Sequence, residues 1–388
     1  MTCRRTPERE GPPRLKHKSV LKAHDTGGAI EEVPMPIIGA LDVHRKQITF
    51  KWLNTETGET NRGRIVPALR KTVREFFVPF KGLDAHFALE ATTGWRFIAE
   101  EISRAGLRAH LAEPADTAAL RGPKRRAKTD RRDCDHMVDL LLTGRLPESW
   151  LPPEHVLEMR TLVRLRKGLV DERCEWQQRI HAQLFHQGLP SIRFMTTEGR
   201  GELAAADLSA AGRRVATIGL EVMEQLDQQL LPLDAYLVRF AKLQPGCRAL
   251  EQRLFGVGAI TAAFIWAELG DCVRFSSSDD AVRYSGLDIT VYESADKRPP
   301  GHLSYQGPEA LRWALYESAQ SACRRSSPDR VYYEQVKARL NHKRACLSVA
   351  RKICRRAHHI LRSLGDNAFA PVDASVLPSF ERPASKTA

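Results

Sequence analysis

The apolar and polar positions of the chain follow two different periods along its length. Between residues 35 and 148, short apolar runs and two-residue alternation predict strands, and stretches of helical spacing separate them. The predicted elements are, in order, strands at 37–43, 47–53 and 62–66, a helix at 67–77, a strand at 86–90, a helix at 95–105, a strand at 107–112 and a helix at 130–143.

The remainder of the chain has the spacing of helices. Residues 154–187 form one long helical pattern, and a second pattern further on carries a heptad seam that Pro232 should kink. The seam consists of Leu226, Leu230, Leu233, Leu237 and Phe240. Two antiparallel helices, within one chain or between subunits, are the simplest arrangement that buries such a seam.

The fold class predicted from these patterns is α/β followed by all-α. Three meandering strands followed by alternating helix and strand match a ribonuclease-H-like (RuvC-like) sheet. The predicted division is a disordered basic arm at 1–34, an α/β domain at 35–148 with a mobile loop at 113–128, a helical coiled-coil region at 149–245, a helical C-terminal domain at 246–365 and a disordered tail at 366–388.

Charge changes this picture more than composition does. The 388 residues are 42 % apolar and 28 % charged, as in a soluble globular protein, but the net charge is +13. Such a balance favours a polyanionic partner, with nucleic acid the commonest, although general surface basicity is the plain alternative. Eight scattered cysteines without C-x-x-C spacing, and no apolar run of membrane length, predict a cytoplasmic, nucleoid-associated protein without a structural zinc site or a membrane partner.

Four carboxylates stand where metal-assisted phosphate chemistry would need them. Asp42 and Glu90 each end an apolar strand pattern, while Asp130 and Asp133 lie three residues apart at the start of a predicted helix. Residues three apart share a helix face, and Met137 continues that face as an apolar stripe, so both acids should point toward the sheet. Gathered carboxylates need a cation, whereas acids that only complement a helix dipole do not.

Three sequence strings resemble the bacterial insertion-sequence DEDD transposases, which are RNA-guided bridge recombinases. The strings are Ala40–Lys46 (ALDVHRK), Leu89–Trp95 (LEATTGW) and Lys128–Asp133 (KTDRRD), and the resemblance extends over roughly residues 35–365. It implies that Asp42, Glu90, Asp130 and Asp133 are catalytic acids that bind Mg²⁺, as two ions that Mn²⁺ can replace.

The same resemblance assigns a nucleophile in the C-terminal region. Ser294 falls at the position of the family's serine, although Glu293 and Ala295 replace the usual flanking Gln and Gly. A serine hydroxyl needs a base or a metal to draw off its proton, which the acid site would supply if the two domains meet. Spacing alone would not separate Ser294 from the other serines nearby.

Four further sites are candidates for contact with nucleic acid. The Gly256–Gly258 turn between two predicted helices would expose backbone N–H groups to a phosphate, and Arg312 would neutralise a scissile phosphate. The stretch from Arg324 to Arg362 has twelve Lys/Arg against two acids. The basic residues predicted to contact the phosphate backbone beside the acid pair are Lys124, Arg125, Arg126 and Lys128.

Three functions fit these observations. The leading one, implied by the resemblance, is a recombinase in which Ser294 forms a phosphoserine link, and donor and target DNA are exchanged by dimers or tetramers around a bridge RNA. The second is a RuvC-like nuclease that uses water and needs only the acids. The third is a non-catalytic nucleic-acid scaffold in which the acids are structural.

Overall fold

The computed structural model describes residues 36–121, 130–290 and 301–380. Ser294, Lys124, Arg125, Arg126 and Lys128 lie outside these ranges, as does the basic arm. The chain divides into two compact units, the first ending at Leu151 and the second beginning at Pro152. The predicted coiled-coil region and C-terminal domain therefore fall within one unit, and their separation stays a prediction.

The first unit is built on a mixed five-stranded sheet. Its elements are β1 (Ile37–Val43), β2 (Ile48–Asn54), β3 (Thr60–Ile65), α1 (Arg70–Phe77), β4 (Ala85–Glu90), α2 (Trp95–Arg104), β5 (Arg108–Ala112), α3 (Pro114–Ala119) and α4 (Asp130–Leu142). The strand order is β3-β2-β1-β4-β5. The pairs β1–β4 and β4–β5 are parallel, and the pairs β1–β2 and β2–β3 are antiparallel. This mixed α/β sheet is the one that the sequence predicts.

The sheet has an apolar core on each face because side chains alternate along every strand. One face packs Leu41, Phe87 and Leu89 with the helices α1 and α2. The other packs Ala40 and Ala88 against the buried side of α4. The strands next to α4 carry small residues at these positions, so the helix lies close to the sheet.

The second unit is helical in its described parts, apart from a short ribbon of Ile289–Thr290 and His302–Leu303. Its helices are α5 (Glu154–His186), α6 (Thr197–Ala205), α7 (Ala210–Leu243), α8 (Pro245–Arg253), α9 (Ala259–Leu269), α10 (Ser278–Tyr284), α11 (Glu309–Gln320), α12 (Arg330–Arg339) and α13 (His342–Leu364). None of the helices in the described residues is long and apolar enough to cross a bilayer.

The two long helices pack against each other within the chain. All five seam residues of α7 are buried, and the helix continues without a break through Pro232. On α5, Val163 is buried whereas Leu165 is 51 % exposed. A coiled coil between subunits stays a prediction.

Two segments predicted to lack structure are ordered where the structure describes them. Residues 114–119 of the predicted mobile loop form α3, with Thr117 buried. Residues 366–380 of the predicted disordered tail include Ala368, whose carbonyl accepts hydrogen bonds from Trp266 Nε1 at 2.6 Å and Gln244 Nε2 at 2.8 Å. Local composition misses these contacts because their partners lie far away in sequence.

Candidate active site

The ends of two parallel strands bring the first two acids together. Leu41 of β1 pairs with Leu89 of β4, and Asp42 and Glu90 are the next residue on each strand. Their positions share the parity of Ala40 and Ala88, so both side chains belong to the α4 face of the sheet. The sequence prediction for these two residues matches their placement.

The first turn of α4 supplies the other two acids, which differ in how far they are buried. Asp133 is buried beside the apolar stripe, with a side chain 11 % exposed. Asp130 is less buried, with a side chain 44 % exposed, but its carboxylate faces His44 at the end of β1. As the first helical residue, Asp130 lies at the rim of the site.

A histidine that the sequence analysis does not single out joins Asp42 to Asp130. His44 Nε2 lies 3.2 Å from Asp42 Oδ2 and 3.6 Å from Asp130 Oδ1. These three residues can offer ligand atoms that all lie within 4.8 Å of one another. The signal in the sequence was the Asp-x-His spacing, which returns both side chains to one side of an extended chain.

An arginine joins the remaining two acids. Arg121 Nη1 lies 2.7 Å from Asp133 Oδ1, and Arg121 Nη2 lies 3.3 Å from Glu90 Oε1. Arg121 lies two residues after the end of the short helix α3. A 3.1 Å hydrogen bond between His136 Nε2 of α4 and the Thr117 carbonyl holds α3 against α4. The four acids are therefore held as two pairs, each with its own basic side chain.

Burial and mutual repulsion govern the charge state of Asp42. Burial raises the pKa of the Asp42 carboxyl above its usual value, and the nearby carboxylates of Asp130 and Asp133 raise it further, while His44 opposes them. A carboxylate set that resists its own ionisation has affinity for an added cation. Oxygen ligands together with one imidazole suit a divalent ion, so the residues present fit a metal site.

The other two acids of α4 lie away from this cluster. Asp135 forms an ion pair with Lys51 of β2 at 2.6 Å, and Asp139 is exposed. Neither residue is among those that the His44 and Arg121 contacts bring together.

The residues predicted to hold phosphate in the second unit have internal partners. Gly256 needs its left-handed φ of 85°, and a Cβ there would lie 1.9 Å from Ser321 Oγ. The Gly258 N–H donates to Thr261 Oγ1 at 3.0 Å. Arg312 Nη1 donates to the Gly307 carbonyl at 3.0 Å and to the Ser285 carbonyl at 3.3 Å, so it fastens two loop segments together.

Much of the basic C-terminal stretch is likewise committed to internal contacts. Lys352 and Arg356 pair with Asp329, Arg330 and Lys337 with Glu334, and Arg355 with Asp279, while Arg351 and Arg362 donate to the carbonyls of Leu287 and Phe275. Within the described residues, the exposed basic side chains of this stretch without such a partner are Arg324, Arg325, Arg339, Lys343 and Arg344.

Two family models match the chain. One, described as a transposase of the DEDD IS110 kind, matches residues 40–186, and the other, the Transposase IS116/IS110/IS902 family, matches residues 248–334. The chain belongs to the DEDD insertion-sequence transposases of the IS110/IS116 family. A DEDD transposase domain implies the use of a divalent metal, which agrees with the acid cluster.

The curated relatives are similar over part of their length. A putative transposase of Sinorhizobium fredii, y4rJ, is 27 % identical over 238 residues, which span 55 % of this chain and 59 % of the relative. A second from that organism, y4qE, is 30 % identical over 43 % of this chain and 41 % of its own length. The uncharacterised 44.8 kDa protein of insertion element IS116 from Streptomyces clavuligerus is 31 % identical over 25 % of each chain.

The raised pKa of Asp42 predicts a pH-dependent gain from Asp42→Asn. Without metal, the variant should unfold at higher urea concentration than the wild type at neutral pH, because it removes an ionised carboxylate from a repulsive site. The gain should vanish as the pH falls below the usual value of 3.8, where Asp42 is protonated in folded and unfolded chains alike, and should grow as the pH rises through the raised pKa.

The control for this measurement is Asp139→Asn, which removes the same charge from the exposed side of α4 and should change the urea midpoint little. Both series are measured in EDTA by far-ultraviolet circular dichroism. An Asp42→Asn variant no more stable than the wild type at neutral pH would contradict the repulsive site.

Proposed function

We propose that this protein is a DNA transposase that breaks and rejoins strands of donor and target DNA. The observation that supports this most is the meeting of four acids from β1, β4 and α4 in a chain of the IS110/IS116 family. Asp42, His44 and Asp130 would hold one divalent ion. Glu90 and Asp133 would bind metal once the Arg121 side chain moves away from them. A bound Mg²⁺ would polarise the scissile phosphate and stabilise the leaving oxygen.

We further propose that Ser294 is the attacking group. Its Oγ would form a bond to phosphorus while the bond from phosphorus to a deoxyribose oxygen breaks, and the serine proton would leave to a nearby base. One phosphodiester is exchanged for another, so a strand end can later reverse the step on a different strand. The sequence position of Ser294 within the family pattern supports this assignment.

Ser294→Ala separates this proposal from the nuclease alternative, and Asp133→Asn tests the acids that both mechanisms need. With Mg²⁺ and a nicked DNA substrate, the wild type should form a covalent protein–DNA adduct, visible as a band of reduced mobility after denaturation. Ser294→Ala should form no adduct because it lacks the nucleophilic oxygen. Asp133→Asn should lower strand breakage on the order of 10³-fold, because a group that stabilises the transition state is lost.

The matched controls are Ser276→Ala and Asp139→Asn, which should keep adduct formation. If Ser294→Ala still broke strands and released free ends, water would be the nucleophile and the nuclease alternative would hold. Strand breakage unchanged in Asp133→Asn would remove the acids from the mechanism.

We also propose that a structured bridge RNA selects the DNA partners, in an assembly of dimers or tetramers. The net charge of +13 and the family resemblance support an additional polyanionic partner. Protein purified from cells that carry its own insertion sequence should retain one discrete RNA, encoded beside the gene. Sequencing of the bound RNA checks this, and recovery of only heterogeneous cellular RNA would contradict the guided mechanism.

A further inference from the structure

A row of side chains extends sideways from the acids across the antiparallel half of the sheet. Asp42 of β1 pairs with Thr49 of β2, and Thr49 pairs with Arg64 of β3. Two residues further along β2, Lys51 pairs with Arg62 of β3. Directly paired residues point to the same face, so these four neighbours share the α4 face with Asp42.

These residues line a small cleft beneath α4, which we call the β2–β3 cleft. It has a volume of about 60 Å³, and it is lined by Thr49, Phe50, Lys51, Arg62, Gly63, Arg64, Arg131, Cys134 and Asp135. That is room for about two water molecules, or for a small oxyanion of similar size. Its walls therefore come from both the sheet and the helix that carries the acid pair.

The charge of the β2–β3 cleft is not balanced from within. Lys51 is neutralised by Asp135 at 2.6 Å. Arg62, Arg64 and Arg131 are exposed and have no ion-pair partner among the residues that the structure describes. Three guanidinium groups at one small opening repel each other, and an anion with several oxygen acceptors would relieve that repulsion.

A buried hydroxyl in the cleft gives independent evidence for a ligand. Thr49 is 4 % exposed, and its Oγ1 has no hydrogen-bond partner within the described residues. Leaving a buried hydroxyl unsatisfied is unfavourable, so such groups in folded proteins normally have a partner that the protein or a ligand supplies. In the β2–β3 cleft, that partner would be an acceptor oxygen.

We propose that the β2–β3 cleft binds a backbone phosphate of the DNA strand that enters the acid site. The inference rests on the proposed function and names a second contact for the same substrate. Neighbouring strands lie about 4.8 Å apart, so Arg64 lies roughly 10 Å from Asp42, which a strand rising about 3.4 Å per nucleotide covers in about three nucleotides. The cleft would position the strand, and the acids would act on it.

The first test compares two double variants for binding to a fluorescently labelled DNA duplex, followed by anisotropy at several salt concentrations in EDTA. Arg62→Gln with Arg64→Gln removes two charges at the cleft. Arg108→Gln with Arg145→Gln removes two exposed charges from the same unit, with Arg108 on the opposite edge strand. The cleft pair should reduce the slope of log affinity against log salt by about 0.9, since one phosphate contact is lost. The control pair should leave the slope near the wild-type value.

The second test is Thr49→Val, which replaces the hydroxyl by a methyl group of similar size. If the hydroxyl serves only the fold, the variant should be at least as stable as the wild type and bind DNA equally well. If it donates to a phosphate, affinity should fall about tenfold while the urea midpoint is maintained, because a hydrogen bond to a charged group is lost only in the complex. Thr60→Val, on the exposed part of β3, is the control for loss of a hydroxyl from the same sheet.

Equal slopes in the two double variants, or wild-type affinity in Thr49→Val, would each overturn the proposal. A loss seen with an RNA probe but absent with DNA would also overturn it, because the cleft would then serve a different strand. These measurements need neither metal nor strand breakage. A protein that behaves as expected here but never breaks DNA would refute the proposed function and leave the cleft intact.

Discussion

The repulsion between carboxylates held at one edge of a sheet is the constraint on which the rest of the first unit depends. Burial disfavours the ionised form of Asp42, and the nearby carboxylates of Asp130 and Asp133 add to that cost. The fold meets this cost with two basic side chains, His44 from the strand end and Arg121 from a helix anchored to α4. These two side chains offset only part of the charge of four carboxylates, and a divalent cation would have to replace or join them.

The same face of the sheet carries charges of both signs, separated by a single strand. Acids lie where the parallel strands end, whereas Arg62 and Arg64, which have no ion-pair partner among the described residues, lie on the antiparallel edge strand β3. This separation suits a polyanion such as a DNA strand. The arginines would attract its phosphates, and the acids would act on one of them through a bound cation. By contrast, many of the basic residues of the C-terminal stretch hold helices together, so net charge alone overstates the surface available to nucleic acid.

Sequence periodicity predicted the strands, their order of appearance and the convergence of Asp42, Glu90 and Asp133, because strand ends and helix faces are local properties. It could not predict Arg121 as a partner of two acids, since that contact depends on where α3 packs. For the same reason, periodicity could not predict that the segment around Ala368 is ordered, because the side chains that bond its carbonyl are more than 100 residues away.

The most direct test of the central claim is Mn²⁺ binding by the full-length protein, measured by electron paramagnetic resonance of the free ion. The account predicts that the wild type binds Mn²⁺ and so lowers the free-ion signal. Asp42→Asn and Asp130→Asn should each weaken Mn²⁺ binding on the order of 10-fold or more, because one charged oxygen ligand is lost. Asp139→Asn should bind Mn²⁺ as the wild type does. Mn²⁺ uptake that is the same in all four proteins would contradict a metal site at the acids.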